Sequence, residues 1–207
     1  MKIAFFTEGQ WEGKIDRNEP NMRTDIAWLC ALDAVRIPYN TVNQVKEHYD
    51  LGICIIPKRL DLNPDIDIDL IKTKCNQLAS MQEGPQWCFQ DYSLDKQIWF
   101  YNILQDMDFL FVHNEIDKKY YEGLTSKECK ILPSLMIEDS IDGYTLTHEN
   151  DRKNVIIGGN FCSWYGGFDS YVVAQETDCP IYIPTMGRKI EGEEQMPNLN
   201  HLSYMNW

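Results

Sequence analysis

Short apolar runs alternate with longer amphipathic segments along most of this chain, and that alternation constrains the fold more than any other feature. Ile3–Phe6, Leu51–Pro57, Trp87–Phe89, Phe109–Val112 and Cys129–Leu132 are too short for helices and read as strands. Between them, Met22–Val35, Leu94–Gln105 and Ile116–Leu124 read as helices, and Asn43–Tyr49 as a short polar helix. Ile68–Ala79 also reads as a helix, because Ile71, Cys75, Leu78 and Ala79 follow the i, i+4, i+7, i+8 spacing of one buried face. Parallel strands need a crossover between them, and a helix is the usual one. The alternation therefore predicts an α/β fold, a Rossmann-like parallel sheet sandwiched by helices.

A second unit of the same kind begins after a turn-rich, acidic connection, Glu138–Lys153, read here as an interdomain linker. Val155–Ile157 reads as a buried strand, Gly158-Gly159 as a sharp turn, and Phe168–Ala174 as a helix preceded by Gly166-Gly167. Pro180–Pro184 reads as the next strand, and Pro197–Leu202 as a short segment before a third. The expected domains are residues 1–150 and 151–207.

The stretch Asn154–Ala174, continued by Pro180–Pro184 and the turn Met186-Gly187-Arg188, resembles the opening of the second domain of GT-B glycosyltransferases, most closely their bacteriophage-type members. The resemblance implies an acceptor-side first domain and the start of a donor-side second one. It implies transfer of a sugar from a nucleotide-sugar donor to an acceptor, with no cofactor beyond the donor and no obligatory metal. The family's second domain extends well past the length available here. The chain is therefore expected to be a truncated N-terminal part, inactive alone, that covers exposed apolar surface by pairing with a second copy. Tyr165 stands where many relatives carry Lys.

His113 is the leading catalytic candidate. It follows the strand Phe109–Val112, at the edge of a parallel sheet where ligands bind, and retaining GT-B enzymes often place a His there. Its plainer role is a hydrogen bond to a backbone carbonyl. Glu8 and Gly9, in the loop after the first strand, and Asn114 and Glu115, beside His113, are candidate substrate contacts. Glu115 and Asp117 also suit the start of a helix, where acids favour the dipole. Gly158, Gly159, Gly166, Gly167 and Arg188 are candidates for holding the donor's diphosphate, through backbone amides and a guanidinium. Asp65, Asp67 and Asp69 form a D-x-D-x-D run, but it precedes an amphipathic helix and reads as a cap with first-turn acids rather than a metal site.

A non-catalytic α/β binding module and a different Rossmann-type nucleotide-binding protein are the alternatives; classes outside these find little support. The net charge of −13 opposes a general grip on nucleic acid. No apolar run is long enough to span a membrane, and the N-terminus lacks the pattern of a signal peptide. The seven cysteines form no C-x-x-C pair and read as free thiols in a reducing compartment, so the chain is placed in the cytoplasm. Signatures of P-loop, zinc-protease and serine-hydrolase chemistry are absent, and no G-x-G-x-x-G follows the first strand.

Overall fold

The structure is a computed structural model and describes residues 1–8, 13–14, 24–56, 66–82, 92–135, 154–157, 167–184 and 196–202. The chain forms two compact units, Met1–Gly143 and Tyr144–Trp207.

The first unit is an α/β sandwich. Its strands are β1 (Ile3–Thr7), β2 (Val35–Pro38), β3 (Tyr49–Cys54), β4 (Cys75–Gln82), β5 (Phe109–Val112) and β6 (Cys129–Ile131). All neighbouring pairs are parallel, in the order β2-β1-β3-β4-β5-β6. Helices α1 (Thr24–Ala31), α2 (Ile68–Lys72), α3 (Leu94–Gln105) and α4 (Glu115–Thr125) flank the sheet, with a 3-10 turn at Tyr39–Gln44. The sheet is Rossmann-like. Its order is the doubly wound 2-1-3-4-5 arrangement extended by one strand, so the connections diverge between β1 and β3.

Adjacent residues of each strand point to opposite faces, and both faces are covered. Ala4, Phe6, Ile37, Cys54, Leu78 and Leu110 pack under α2, α3 and α4, together with Phe100, Leu104 and Tyr121. Ile3, Phe5, Ile53, Ala79 and Phe109 pack on the other face with Leu29 of α1, edged by Trp28. This double burial explains why the strands read as continuous apolar runs.

Four sequence expectations change. The helix expected over Met22–Val35 ends at Ala31, because Asp33 adopts a left-handed conformation (φ 49°) that stops it, and Val35 opens β2. The polar helix expected over Asn43–Tyr49 is the 3-10 turn at Tyr39–Gln44, and Tyr49 begins β3. The helix expected over Ile68–Ala79 covers only Ile68–Lys72; Cys75, Leu78 and Ala79 lie on β4. Leu78 and Ala79 belong to opposite sheet faces, so their spacing mimicked a helical stripe. Pro197–Leu202 contains the third strand of the second unit rather than preceding it. The strand expected at Trp87–Phe89 and the linker lie outside the described residues.

The second unit has β7 (Val155–Ile156), α5 (Gly167–Gln175), β8 (Ile181–Pro184) and β9 (Leu199–Leu202), with parallel order β7-β8-β9. Tyr171, Ala174 and Ile181 form its small core, packed by Val155, Ile157, Met196 and Leu199. Tyr171 Oη donates to the Pro197 carbonyl (2.9 Å), and Gln175 Nε2 donates to both (2.7 and 2.8 Å), which ties α5 to the approach to β9. Among the described residues, no helix is long and apolar enough to cross a membrane.

Candidate functional site

Every strand of the first unit's sheet ends on the same edge, and His113 lies on it. Val112 closes β5, and Asn114 already caps α4, so His113 is confined to the single residue between them. Its Nδ1 lies 2.7 Å from the Leu132 carbonyl oxygen. A carbonyl can only accept, so Nδ1 carries the proton. In the neutral ring, Nε2 is then a bare acceptor. Nε2 is buried and has no hydrogen-bond partner among the described residues. Leu132 is held in turn: its N–H donates to the Val112 carbonyl (2.7 Å), and Trp28 Nε1 donates to the next carbonyl, Pro133 (2.8 Å). The segment after β6 thus fixes which imidazole nitrogen is free.

The start of α4 is closed by its own side chains. Asn114 Oδ1 accepts from the Ile116 and Asp117 N–H groups (2.9 Å each), and its Nδ2 donates to Asp117 Oδ2 (2.8 Å). Asp117 is buried, whereas Glu115 is exposed in the first turn. Two amides that an anion would need are therefore taken, and two carboxylates sit beside them.

Glu8 lies at the exit of β1 on the same edge. Its carbonyl accepts from Arg36 Nη2 (3.1 Å) and from the Thr7 hydroxyl (3.1 Å), while Arg36 Nε donates to Thr7 Oγ1 (2.8 Å). Arg36 sits on β2, a strand the sequence reading missed. The backbone of Gly13, at a φ of 94° that suits glycine, pairs with Arg36 in both directions. Strands β3 and β4 separate β1 from β5, so Glu8 and His113 stand three strand spacings apart, roughly 14 Å. They share an edge without touching. A second buried polar group also went unread: Gln82 Nε2 donates to Ser80 Oγ (2.9 Å) near the carboxyl end of β4. The alternation Ser80, Met81, Gln82 was its only trace in the sequence.

Of the proposed diphosphate residues, Gly167 is the buried first residue of α5, with Asp169 in the same turn. Gly9, Gly158, Gly159, Gly166 and Arg188 lie outside the described residues. Asp67 caps α2 by accepting from the Leu70 N–H (2.9 Å), with Asp69 in the first turn.

No family model, curated protein or solved structure matches the chain.

The described cysteines are free thiols, and the buried ones resist ionisation. Burial, with Asp108 adding to it, pushes Cys75 from 9.0 up to about 11. Burial and Glu122 do the same for Cys129, against the smaller opposing pull of Lys118. Cys54 is pushed up further by burial and by Cys75, and Tyr39 rises through burial and its neighbour Cys54. These groups are packing residues, held in the protonated form in which they cost least.

Proposed function

We propose that the first unit handles the sugar in a glycosyl transfer of the GT-B kind, from a nucleotide-sugar donor to a hydroxyl-bearing acceptor. The observation that carries the reading is His113. Its Nδ1–H is committed to Leu132, and its Nε2 is a buried acceptor with no described partner. A sugar hydroxyl is a donor of the right kind. As an orienting group, Nε2 would hold that hydroxyl in place. That hydroxyl belongs to the donor sugar, and holding it would set the anomeric carbon for attack by the acceptor's hydroxyl. The diphosphate assignment to Gly158, Gly159, Gly166, Gly167 and Arg188 belongs to the same reading. Asp169 opposes an anion at the start of α5, so the case rests on His113. Free thiols at the described cysteines agree with the cytoplasmic placement.

A buried acceptor left unpaired costs about 1–3 kcal/mol, which a donating hydroxyl recovers. His113→Ala should therefore weaken nucleotide-sugar binding by about tenfold or more, while the matching nucleotide alone binds unchanged. Calorimetric titration of the wild type and variant makes the comparison. A folded chain that binds no nucleotide-sugar, or binds one equally well without the imidazole, sinks the reading.

A second reading is favoured by the strand order. Divergence between β1 and β3 places the crevice beside Thr7, Glu8 and Arg36, as in nucleotide-binding doubly wound sheets. The same titrations separate the two: equal affinity for the nucleotide with and without its sugar supports the nucleotide-only site.

A further inference from the structure

Both helices over β4, β5 and β6 carry an apolar stripe that the unit does not use. On α3, Leu94, Ile98 and Tyr101 are 68%, 50% and 40% exposed; on α4, Ile116, Tyr120 and Leu124 are 77%, 41% and 41% exposed. The spacings are i, i+4, i+7 and i, i+4, i+8, so each set is one helical face. The buried faces are distinct: Phe100, Ile103 and Leu104 on α3, and Asp117, Tyr121 and Thr125 on α4.

The two stripes converge. At about 100° per residue, the α3 stripe lies on one flank of its buried face and the α4 stripe on the opposite flank of its own. The helices are neighbours, both pack on the same sheet face, and they bridge β4 to β5 and β5 to β6. With the right-handed crossovers that parallel strands require, those two flanks face each other. The stripes are the two walls of one outward-facing groove. Gly123 lies on the α4 wall, where an added Cβ would meet no described atom within 4 Å. A glycine in an exposed helix costs about 1 kcal/mol relative to alanine, and no contact among the described residues requires it. It lets a second backbone lie close.

We propose that this groove is the contact surface between two copies of this chain, with α4 of each copy seated antiparallel against the other about a twofold axis. A side chain of this size carries roughly 150–200 Å² of surface, so the six exposed fractions amount to roughly 500–600 Å². With the polar rim, that approaches the roughly 800 Å² per partner of a stable interface. It also stands at the upper end of what a monomer leaves uncovered. Antiparallel seating sets the acidic first turn of one α4, with Glu115, beside Lys127 past the end of the other. A twofold axis uses the same surface on both copies, so the contact closes at a dimer. Each chain carries a net charge of −13. The pair therefore repels overall, and salt should strengthen it by screening.

Sedimentation velocity on the full chain, from about 1 to 100 µM, tests the assignment. The expected result is a dimer that tightens as sodium chloride is raised. Ile116→Glu and Ile98→Glu should each raise its Kd at least about tenfold, with the circular dichroism spectrum of the folded chain unchanged. Val173→Glu alters another exposed apolar residue, on α5, and should leave the dimer intact. A monomer at the highest concentration and salt overturns the proposal. So does a dimer indifferent to both glutamates, or one broken only by Val173→Glu.

Discussion

Gly52→Ala is a sharp test of the packing described above, because two local rules disagree about it. Gly52 lies in β3 at the centre of the sheet, paired with Ala4 on β1 and Leu78 on β4. Strand propensity says that alanine should help, since an interior glycine costs roughly 0.5–1 kcal/mol. The packing says the opposite. An added Cβ would lie 2.8 Å from Cys75 Sγ, 2.9 Å from Leu78 Cδ1 and 2.9 Å from Phe6 Cε2. Three contacts of that length cannot stand, and the three neighbours are themselves buried. Overpacking of this kind costs about 1–3 kcal/mol, so the net effect should be a loss of about 1–2 kcal/mol. In a unit of this size that lowers Tm by roughly 3–8 °C. Thermal melts and urea titration read it directly. Cys75→Ala removes one of the three clashing atoms, so the double variant should lose less than the sum of the singles, by about 0.5–1 kcal/mol. An unchanged or raised Tm for Gly52→Ala would refute the reasoning, because it would mean the core around Phe6 can yield.

Two further perturbations test the site and the buried thiols. Asn114→Ala should cost about 1–2 kcal/mol in urea unfolding, since it removes the α4 cap. Asn114→Asp should be no rescue despite its equal merit as a cap, because it sets a second carboxylate against Asp117 where an amide now donates; wild-type stability for Asn114→Asp would count against that geometry. The thiols of Cys75 and Cys129, raised from 9.0 to about 11, stay protonated in the fold after they would ionise in the unfolded chain. Their contribution is complete below pH 9 and lost as pH rises from 9 to about 11, so the urea midpoint should fall across that window. The fall should be shallower in Cys75→Ala; the same slope in that variant would remove Cys75 as a cause.

Much of the first unit was legible because strands buried on both faces leave continuous apolar runs, as Phe109–Val112 does. The same double burial hid β4. Its Leu78 and Ala79 face opposite layers, and the turn before it, Thr73-Lys74, contains neither glycine nor proline. β2 was hidden by Asp33, which takes the left-handed conformation usually signalled by glycine. With β2 unread, Arg36 fell just past the end of the expected helix, and its reach to Thr7 and Glu8 could not be inferred. The position of His113 was legible from local order alone. Its partner Leu132 was not, because a bond across 19 residues depends on β5 and β6 pairing in register.

The start of α4 shows why position and chemistry separate here. Residues that share one edge of a parallel sheet look interchangeable in a sequence, since the fold places all of them where ligands bind. Hydrogen-bond accounting distinguishes them. Asn114 spends both ends of its amide on α4, two first-turn amides are spent on Asn114, and Glu115 and Asp117 set negative charge where a phosphate would lie. Glu8 offers a carbonyl that already accepts from Arg36 and Thr7. His113 Nε2 differs from these in being a buried acceptor with no described partner. An anion would gain nothing from a bare lone pair, whereas a hydroxyl can donate to it. That asymmetry favours a neutral, hydroxyl-rich ligand at the end of β5 over a phosphate. It also makes the imidazole, rather than the helix beside it, the residue to change first.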